Sequence, residues 1–358
     1  MDQMEGFALE LEDELMNFSD VSYKSFVKSE SEIITLFYDK FADIPLLSRM
    51  DAVAETFIDE IETLLNRDLP EEERIPLIEK FQKMYETMDF YVLYNRFLKK
   101  EGYQTLPRRP LEKRKLRYED VYPVLYLKYR LSRQAERSNI KHLVIDEMQD
   151  YSRLQYLIIR RMFSCKMTIL GDRAQTMADQ QQDVLQFLPG IFGKDLRRIE
   201  MRKSYRNTVE IASYAANLIG VTDLELFERH GMPVLERDVT DLEAALREAV
   251  DTLFPDEKTY ETAAVIVPDE KTAERAYLIL REILAEKDFD CEKRLSWLNR
   301  DSSSFKKGLT VTTFYLAKGL EFDQVFSIFP KDEKREIMMQ AQYIAATRAL
   351  HELRVYHI

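Results

Sequence analysis

HLVIDEMQDYSRLQ, residues 142–155, starts as an apolar run, closes it with Asp146 and Glu147, and adds Gln149 and Asp150. A short apolar run followed by polar residues reads as a buried strand, and residues 152–163 read as the helix after it. Three carboxylates within five residues repel one another, more strongly where water is partly excluded. Two readings fit such a cluster: a solvated acidic turn that caps the next helix, or a metal-and-water site at the carboxyl end of a strand.

Downstream of this stretch the pattern continues as an alternation. HLVID, KMTILGD, RRIEM, AAVIVP, LTVTTF, QVFSIF and LRVYHI read as strands, with helices predicted at 152–163, 208–219, 269–285 and 332–350. Strand–helix alternation predicts an α/β fold with parallel sheets covered by helices. Ligands of such sheets gather at the carboxyl ends of the strands, where Asp146 and Asp172 fall.

Upstream, residues 1–135 read as almost entirely helical. Val53, Phe57, Ile61, Leu64 and Leu65 recur at helical spacing, and Ile78, Phe81, Tyr85, Met88, Tyr91 and Phe97 repeat the pattern over 74–98. Such stripes are the apolar faces of core helices. Three segments are expected: a helical region at 1–135 and two α/β units at 136–207 and 208–358.

A chain of 358 residues with 45% apolar residues can build more than one core. Its net charge of -12 is unevenly placed: residues 1–66 hold 16 Asp or Glu and 4 Lys or Arg, and the remainder is balanced. A basic stretch, PRRPLEKRKLRYED, follows at 107–120. The two stretches read either as solvated helix faces or as an acidic surface for a basic partner beside a strip that touches phosphate. Cys165 and Cys291 stand apart with no pattern around them, as reduced thiols of a cytoplasmic protein would. His142, His230, His351 and His357 form no zinc-ligand spacing. No apolar run reaches membrane-spanning length, and the acidic start is unlike a signal peptide, so no membrane role is expected.

Five motifs carry the chemistry. VIDEMQD ends a strand in acids, as a Walker-B-type Mg²⁺ site requires. ILGDRAQ (169–175) ends another with Asp172 and Gln175; SYRN (204–207) sets Arg206 beside Tyr205; TVTTFYLAKGLEFD (310–323) places Gly319 between Lys318 and Glu321 in a strand–turn–strand; YIAATRALHEL (343–353) places Arg348 on a helix. This order, DExQD, GDxxQ, YRN, AKGLEFD, ATRA, resembles motifs II to VI of the UvrD/Rep-like superfamily 1 helicases over residues 140–358. LRYEDVYPVLYLKYRL ahead of the acids, and Tyr315 before AKGLEFD, are more similar to the HelD-type proteins, which act on RNA polymerase.

The resemblance implies RecA-like domains that use ATP and Mg²⁺, with 1–135 a helical insertion domain, 136–207 the C-terminal part of the first RecA-like domain and 208–358 the second. Asp146 would hold the metal and Glu147 would be the general base. Gln149 and Gln175 would read the γ-phosphate, Tyr205 would stack on adenine, Glu321 would reach the ribose beside Gly319, and Arg206 and Arg348 would be arginine fingers. Implied partners are nucleic acid, DNA or RNA, and RNA polymerase, for a monomeric protein. Two departures stand out. None of the nine glycines begins GxxxxGK[ST], so the chain is expected to be the C-terminal part of a longer motor and inactive alone. GDxxQ is followed by Met177 and glutamines instead of a base-stacking aromatic, and only about 100 residues separate SYRN from LTVTTF. Both favour remodelling of a protein complex; the alternatives are a fragment of a 3′–5′ unwinding DNA helicase and a non-catalytic interaction module.

Overall fold

The computed structural model describes residues 2–133, 139–172, 175, 184–201, 203–221, 225–254, 260–287, 289–302, 307–331 and 336–358. The chain divides into two compact units. One comprises Met1–Asp146, Tyr151–Leu170 and Val184–Leu196; the other comprises Glu147–Asp150, Gly171–Asp183 and Arg197–Ile358.

The first unit runs α1 (Asp2–Glu14), β1 (Val21–Tyr23), β2 (Phe26–Lys28), α2 (Glu30–Thr35), α3 (Arg49–Leu65), α4 (Glu71–Gln82), α5 (Phe90–Lys100) and α6 (Tyr118–Leu131). It continues through β3 (His142–Ile145), α7 (Arg153–Met162), β4 (Lys166–Ile169) and α8 (Val184–Phe192). Helices dominate as expected, but the β1–β2 hairpin and residues 101–117, with one 3₁₀ turn at Leu111–Lys113, depart from the expectation. In α3, Val53, Phe57 and Ile61 are buried as their spacing predicts, but Leu64 is 71% exposed. The helix ends at Leu65 with Asn66 as its left-handed cap, and the stripe runs out with it. The stripe read over 74–98 belongs to two helices, α4 and α5, and the exposed Met88 lies in the loop between them. One apolar core holds α1 to α6 together with Leu154, Leu157 and Ile158 of α7.

Much of the charge in this unit is used internally. Glu5, Glu12, Glu55, Glu60 and Glu62 are ion-paired to Arg130, Arg49, Arg74, Lys28 and Arg74. From the basic strip, Arg114 pairs with Asp89 at 2.6 Å and lies over the Tyr91 ring, while Arg117 meets the buried Asp120 at 2.7 Å.

The second unit contains β5 (Lys203–Ser204), α9 (Val209–Leu218), β6 (Glu225–Leu226), β7 (Leu235–Asp238), α10 (Leu242–Asp251), β8 (Thr262–Val267) and α11 (Glu270–Ala285). It closes with α12 (Cys291–Arg294), β9 (Leu295–Trp297), β10 (Gly308–Thr313), β11 (Phe322–Phe329), α13 (Glu336–Thr347) and β12 (Ala349–His357). Six strands form one sheet in the order β7-β12-β11-β8-β10-β9, every pair parallel. This is the α/β class that the alternation predicts.

Burial on both faces explains the unbroken apolar strands. Along β8, Ala263, Val265 and Val267 join the core that α10 and α11 cover, while Ala264 and Ile266 join the one covered by α9 and α13. Thr208, Asp241 and Asp269 cap α9, α10 and α11 through side-chain oxygens, fixing where each helix leaves its loop. RRIEM (197–201) is not a strand: Ile199 and Met201 are 76% and 85% exposed, with no sheet to pack on, and the strand falls at Lys203–Ser204. Among the described residues, no helix is long and apolar enough to cross a membrane.

Candidate functional site

β3 and β4 pair in parallel, Ile145 opposite Ile169, and the Leu170 N–H extends the ladder to the Ile145 carbonyl at 2.8 Å. Asp146 therefore ends β3 in the first unit, and Glu147 opens the short acidic segment of the second. Glu147 adopts φ +52°, a left-handed backbone that costs a residue with a Cβ about 1 kcal/mol or more. A 3₁₀ turn, Met148–Asp150, follows. The acids do not cap α7. Ser152 does, accepting the Gln155 N–H while the Gln155 side chain accepts from the Ser152 backbone N–H.

The amides of the two turns are held by hydrogen bonds within the second unit. Gln149, buried, donates from Nε2 to Glu147 Oε2 at 2.5 Å and accepts the Asp172 N–H at Oε1, 3.1 Å away. Gly171 permits this approach: a Cβ there would lie 2.5 Å from Gln149 Oε1, 2.6 Å from Met148 N, and against Met148 Cγ. Asp172 Oδ2 accepts both the Gln175 Nε2–H and the Tyr343 hydroxyl, each at 3.0 Å. Burial, then the Asp172 charge, pushes the Tyr343 phenol well above its usual pKa, so it stays a donor. With its nitrogen on Asp172, Gln175 turns Oε1 toward Arg348 Nη2, 3.5 Å away.

Arg348 is 1% exposed and lies in the turn between α13 and β12, one residue past the helix on which the sequence reading placed it. Its Nε and Nη1 donate to the Ile344 and Leu320 carbonyls at 3.2 and 3.3 Å. Burial, then the neighbouring Arg206, lowers its pKa, while Glu147 and Glu321 oppose the shift; a guanidinium so placed remains charged. Arg206 Nε meets Glu321 Oε1 at 2.6 Å on the half-exposed surface. Lys318, its side chain 9% exposed, stands 2.6 Å from Asp150 Oδ1 and 3.6 Å from Glu147 Oε2. Gly319 makes the adjoining turn at φ +81°.

Tyr205 is 59% exposed and tilts against Phe227, with ring centroids 5.7 Å apart. The next residues are anchored by Asn207, whose Nδ2 donates to the Thr347 and Ala349 carbonyls at 3.2 and 2.7 Å. Of the residues expected from sequence, Glu147, Gln149, Gln175, Arg206, Gly319, Glu321 and Arg348 fall in the second unit with the contacts above. Met177 lies outside the described residues. The sequence reading assigned no role to Lys318, Tyr343 or Phe227. Lys318 and Tyr343 stand inside quoted motifs, whereas no motif marks Phe227. Among the described residues no three His, Cys, Asp or Glu side chains converge on a metal position, so the Mg²⁺ expectation rests on the oxygen chemistry of the strand-end carboxylates, while guanidinium and ammonium groups suit phosphate.

Residues 8–177 match the UvrD/REP helicase N-terminal domain family. The match spans just under half of the chain and is a likeness to that family. Among solved structures, the chain is similar to the C-terminal domain of a possible DNA helicase from Lactobacillus plantarum WCFS1: 24% identity, 43% of this chain, 88% of that one, TM-score 0.34. It is also similar to the PRRSV helicase, at 15% identity over 75% of this chain and 45% of that chain, TM-score 0.35. A third is Arterivirus nonstructural protein 10 (helicase), solved with DNA: 13% identity, 75% and 51% coverage, TM-score 0.34. The chain thus spans about half the length of the viral helicases it resembles. No curated protein matches it.

Proposed function

We propose that the chain is part of an ATP-driven superfamily 1 nucleic-acid motor, and within that group a HelD-type ATPase acting on RNA polymerase. One observation carries the motor reading: an unbroken line of contacts from Glu147 through Gln149, Asp172 and Gln175 to Arg348. Such a line ties the residue proposed to take a proton from water to a guanidinium proposed to meet the phosphoryl oxygens, with two amides between them.

In this reading Asp146 holds the metal and Glu147 accepts the water proton. Gln149 orients Glu147, and Gln175 passes the state of the phosphate site to Arg348. Arg206 and Arg348 stabilise charge on the transferred group, and Arg206 must leave Glu321 to do so, which frees Glu321 for a ribose hydroxyl beside Gly319. Tyr205 offers a ring face to the base. Bound Mg²⁺ would neutralise phosphate charge as it develops. Support for the HelD-type reading is the Tyr315-AKGLEFD pattern, the short spacing between motifs and the acidic N-terminal stretch. A cytoplasmic monomer with the three segments 1–135, 136–207 and 208–358 fits the same reading.

Mg²⁺-ATP turnover tests it. The chain alone, lacking GxxxxGK[ST], is expected to show none above background, and turnover abolished by Glu147→Gln would overturn that expectation. In a polypeptide that also carries a phosphate loop, Arg206→Ala or Arg348→Ala should lower kcat by about 10³-fold or more with nucleotide affinity far less changed. Loss of affinity at unchanged kcat would make both arginines ordinary binding groups.

A further inference from the structure

Five of the ten residues 197–206 are basic, Arg197, Arg198, Arg202, Lys203 and Arg206, against one acid, Glu200, which pairs with Arg198. Ile199 and Met201, interleaved among them, are exposed. The six-stranded sheet buries its apolar runs on both faces, whereas this one stands in water within a basic stretch.

The segment ends in a small device. β5 pairs in parallel with β6, Lys203 opposite Glu225 and Ser204 opposite Leu226, and the Phe227 N–H donates to the Ser204 carbonyl at 3.1 Å. A ladder of two residues per strand adds little stability of its own. What it fixes is the neighbouring ring pair. Tyr205 and Phe227 stand 5.7 Å apart with their planes 38° from parallel, 59% and 45% exposed. The Lys203 ammonium lies 5.5 Å from one ring centroid and 5.9 Å from the other.

We propose that Tyr205, Phe227 and Lys203 form a platform for a nucleobase and its phosphate, with Phe227 the second stacking ring. Every base has a π face, so exposed rings accept bases of any sequence, and a cation beside the rings neutralises the attached phosphate. An apolar peptide would use the rings but gain nothing from the ammonium held over both. A free nucleotide and a single strand present the same chemistry to this platform. The proposal deepens the motor reading and rests on it for the role of Tyr205.

The test uses the full chain at low salt. Binding of a fluorescein-labelled oligothymidylate, of an abasic oligomer of equal charge, and of ADP is measured for the wild type and for Phe227→Ala, Phe227→Leu, Tyr205→Ala and Lys203→Ala. Phe227→Leu keeps an apolar side chain and removes only the ring; melting curves check that each variant folds. The platform predicts that a base-bearing ligand binds and that Phe227→Leu and Tyr205→Ala each weaken it about tenfold. The abasic oligomer should bind more weakly and ignore Phe227→Leu, and for the oligothymidylate Lys203→Ala should reduce the salt slope by about one. A loss seen with ADP alone assigns the base to a nucleotide; one seen with the oligothymidylate assigns it to a strand. Absence of binding by both, wild-type affinity in Phe227→Leu, or equal binding of the abasic oligomer would overturn the platform. The motor reading fails separately, if Arg348→Ala leaves turnover intact in a polypeptide carrying the phosphate loop.

Discussion

Glu147 combines a left-handed backbone with a carboxylate shared between Gln149 Nε2 and the Lys318 ammonium. Strain of this kind persists only where surrounding contacts fix it. Lys318 is one such contact, since its charge also lies 2.6 Å from Asp150. Removing it as Lys318→Met leaves two carboxylates facing each other. The carboxylates remain 36% and 46% exposed, so screening keeps the expected loss to about 1–2 kcal/mol by urea unfolding. The double variant with Asp150→Asn should lose less than the sum of the single changes; strict additivity would show that the pair is not coupled. Glu210 gives a pH signature. Hydrogen bonds from His230 and from the Gly231 N–H hold its pKa at about 2, against an ordinary 4.5. A depressed carboxylate stabilises the fold above its unfolded pKa and loses that contribution as pH falls through the folded one. The stability gap between wild type and Glu210→Gln should therefore narrow from pH 4.5 to about pH 2; a constant gap in acid melting curves would contradict the assignment.

At the scale of elements, the beginning of α7 removes the capping reading of the acidic stretch. A turn that served only to cap the helix would spend Asp146, Glu147 or Asp150 on the first-turn N–H groups. Ser152 and Gln155 do this instead, in a reciprocal capping box. Glu147 and Asp150 are left to face Lys318 in the second unit. Ser152→Ala should cost about 1 kcal/mol of stability in chemical denaturation, as caps usually do. Glu147→Gln, with no role at the cap, should leave the helix content of the far-ultraviolet spectrum unchanged. Loss of helix signal in Glu147→Gln would restore the capping reading. Similar logic explains the end of α13: its last turn feeds directly into β12, so the motif that reads as helical from its spacing delivers Arg348 on a turn with its guanidinium turned inward.

For the whole molecule, the net charge of -12 sets what the N-terminal half can meet. Many of its acids are tied into ion pairs, so a docking surface for a basic partner must use the remainder, such as the exposed Asp13, Glu14, Asp39 and Asp43. Under the RNA polymerase reading proposed above, neutralising these four to Asn or Gln should lower retention of the polymerase at low salt several-fold, with the wild-type retention falling as salt rises. Equal retention by both would remove the acidic surface as a docking element. Substitution is the better tool here than deletion of residues 1–135, because α7 shares the core of that segment and would be stripped by its loss.

Local pattern was enough for the parallel sheet, the helices over it and the strand-end acids. Period and strand-ending polar residues are properties of a few neighbours in sequence, and burial on both faces writes itself as unbroken apolar runs such as TAAVIV. Glu147, Gln149, Gln175, Arg206, Glu321 and Arg348 entered through the resemblance that the motif order carries, and their roles are proposals. Which of them touch was another matter. Lys318 on Asp150, Tyr343 on Asp172 and Phe227 beside Tyr205 join residues that spacing cannot relate, because each contact depends on how turns and strands fold back over long separations. The exposed RRIEM shows the converse. Its apolar residues suit a strand locally, but a strand needs a neighbouring strand to complete its hydrogen bonds, and the tertiary structure provides that pairing two residues later, at Lys203.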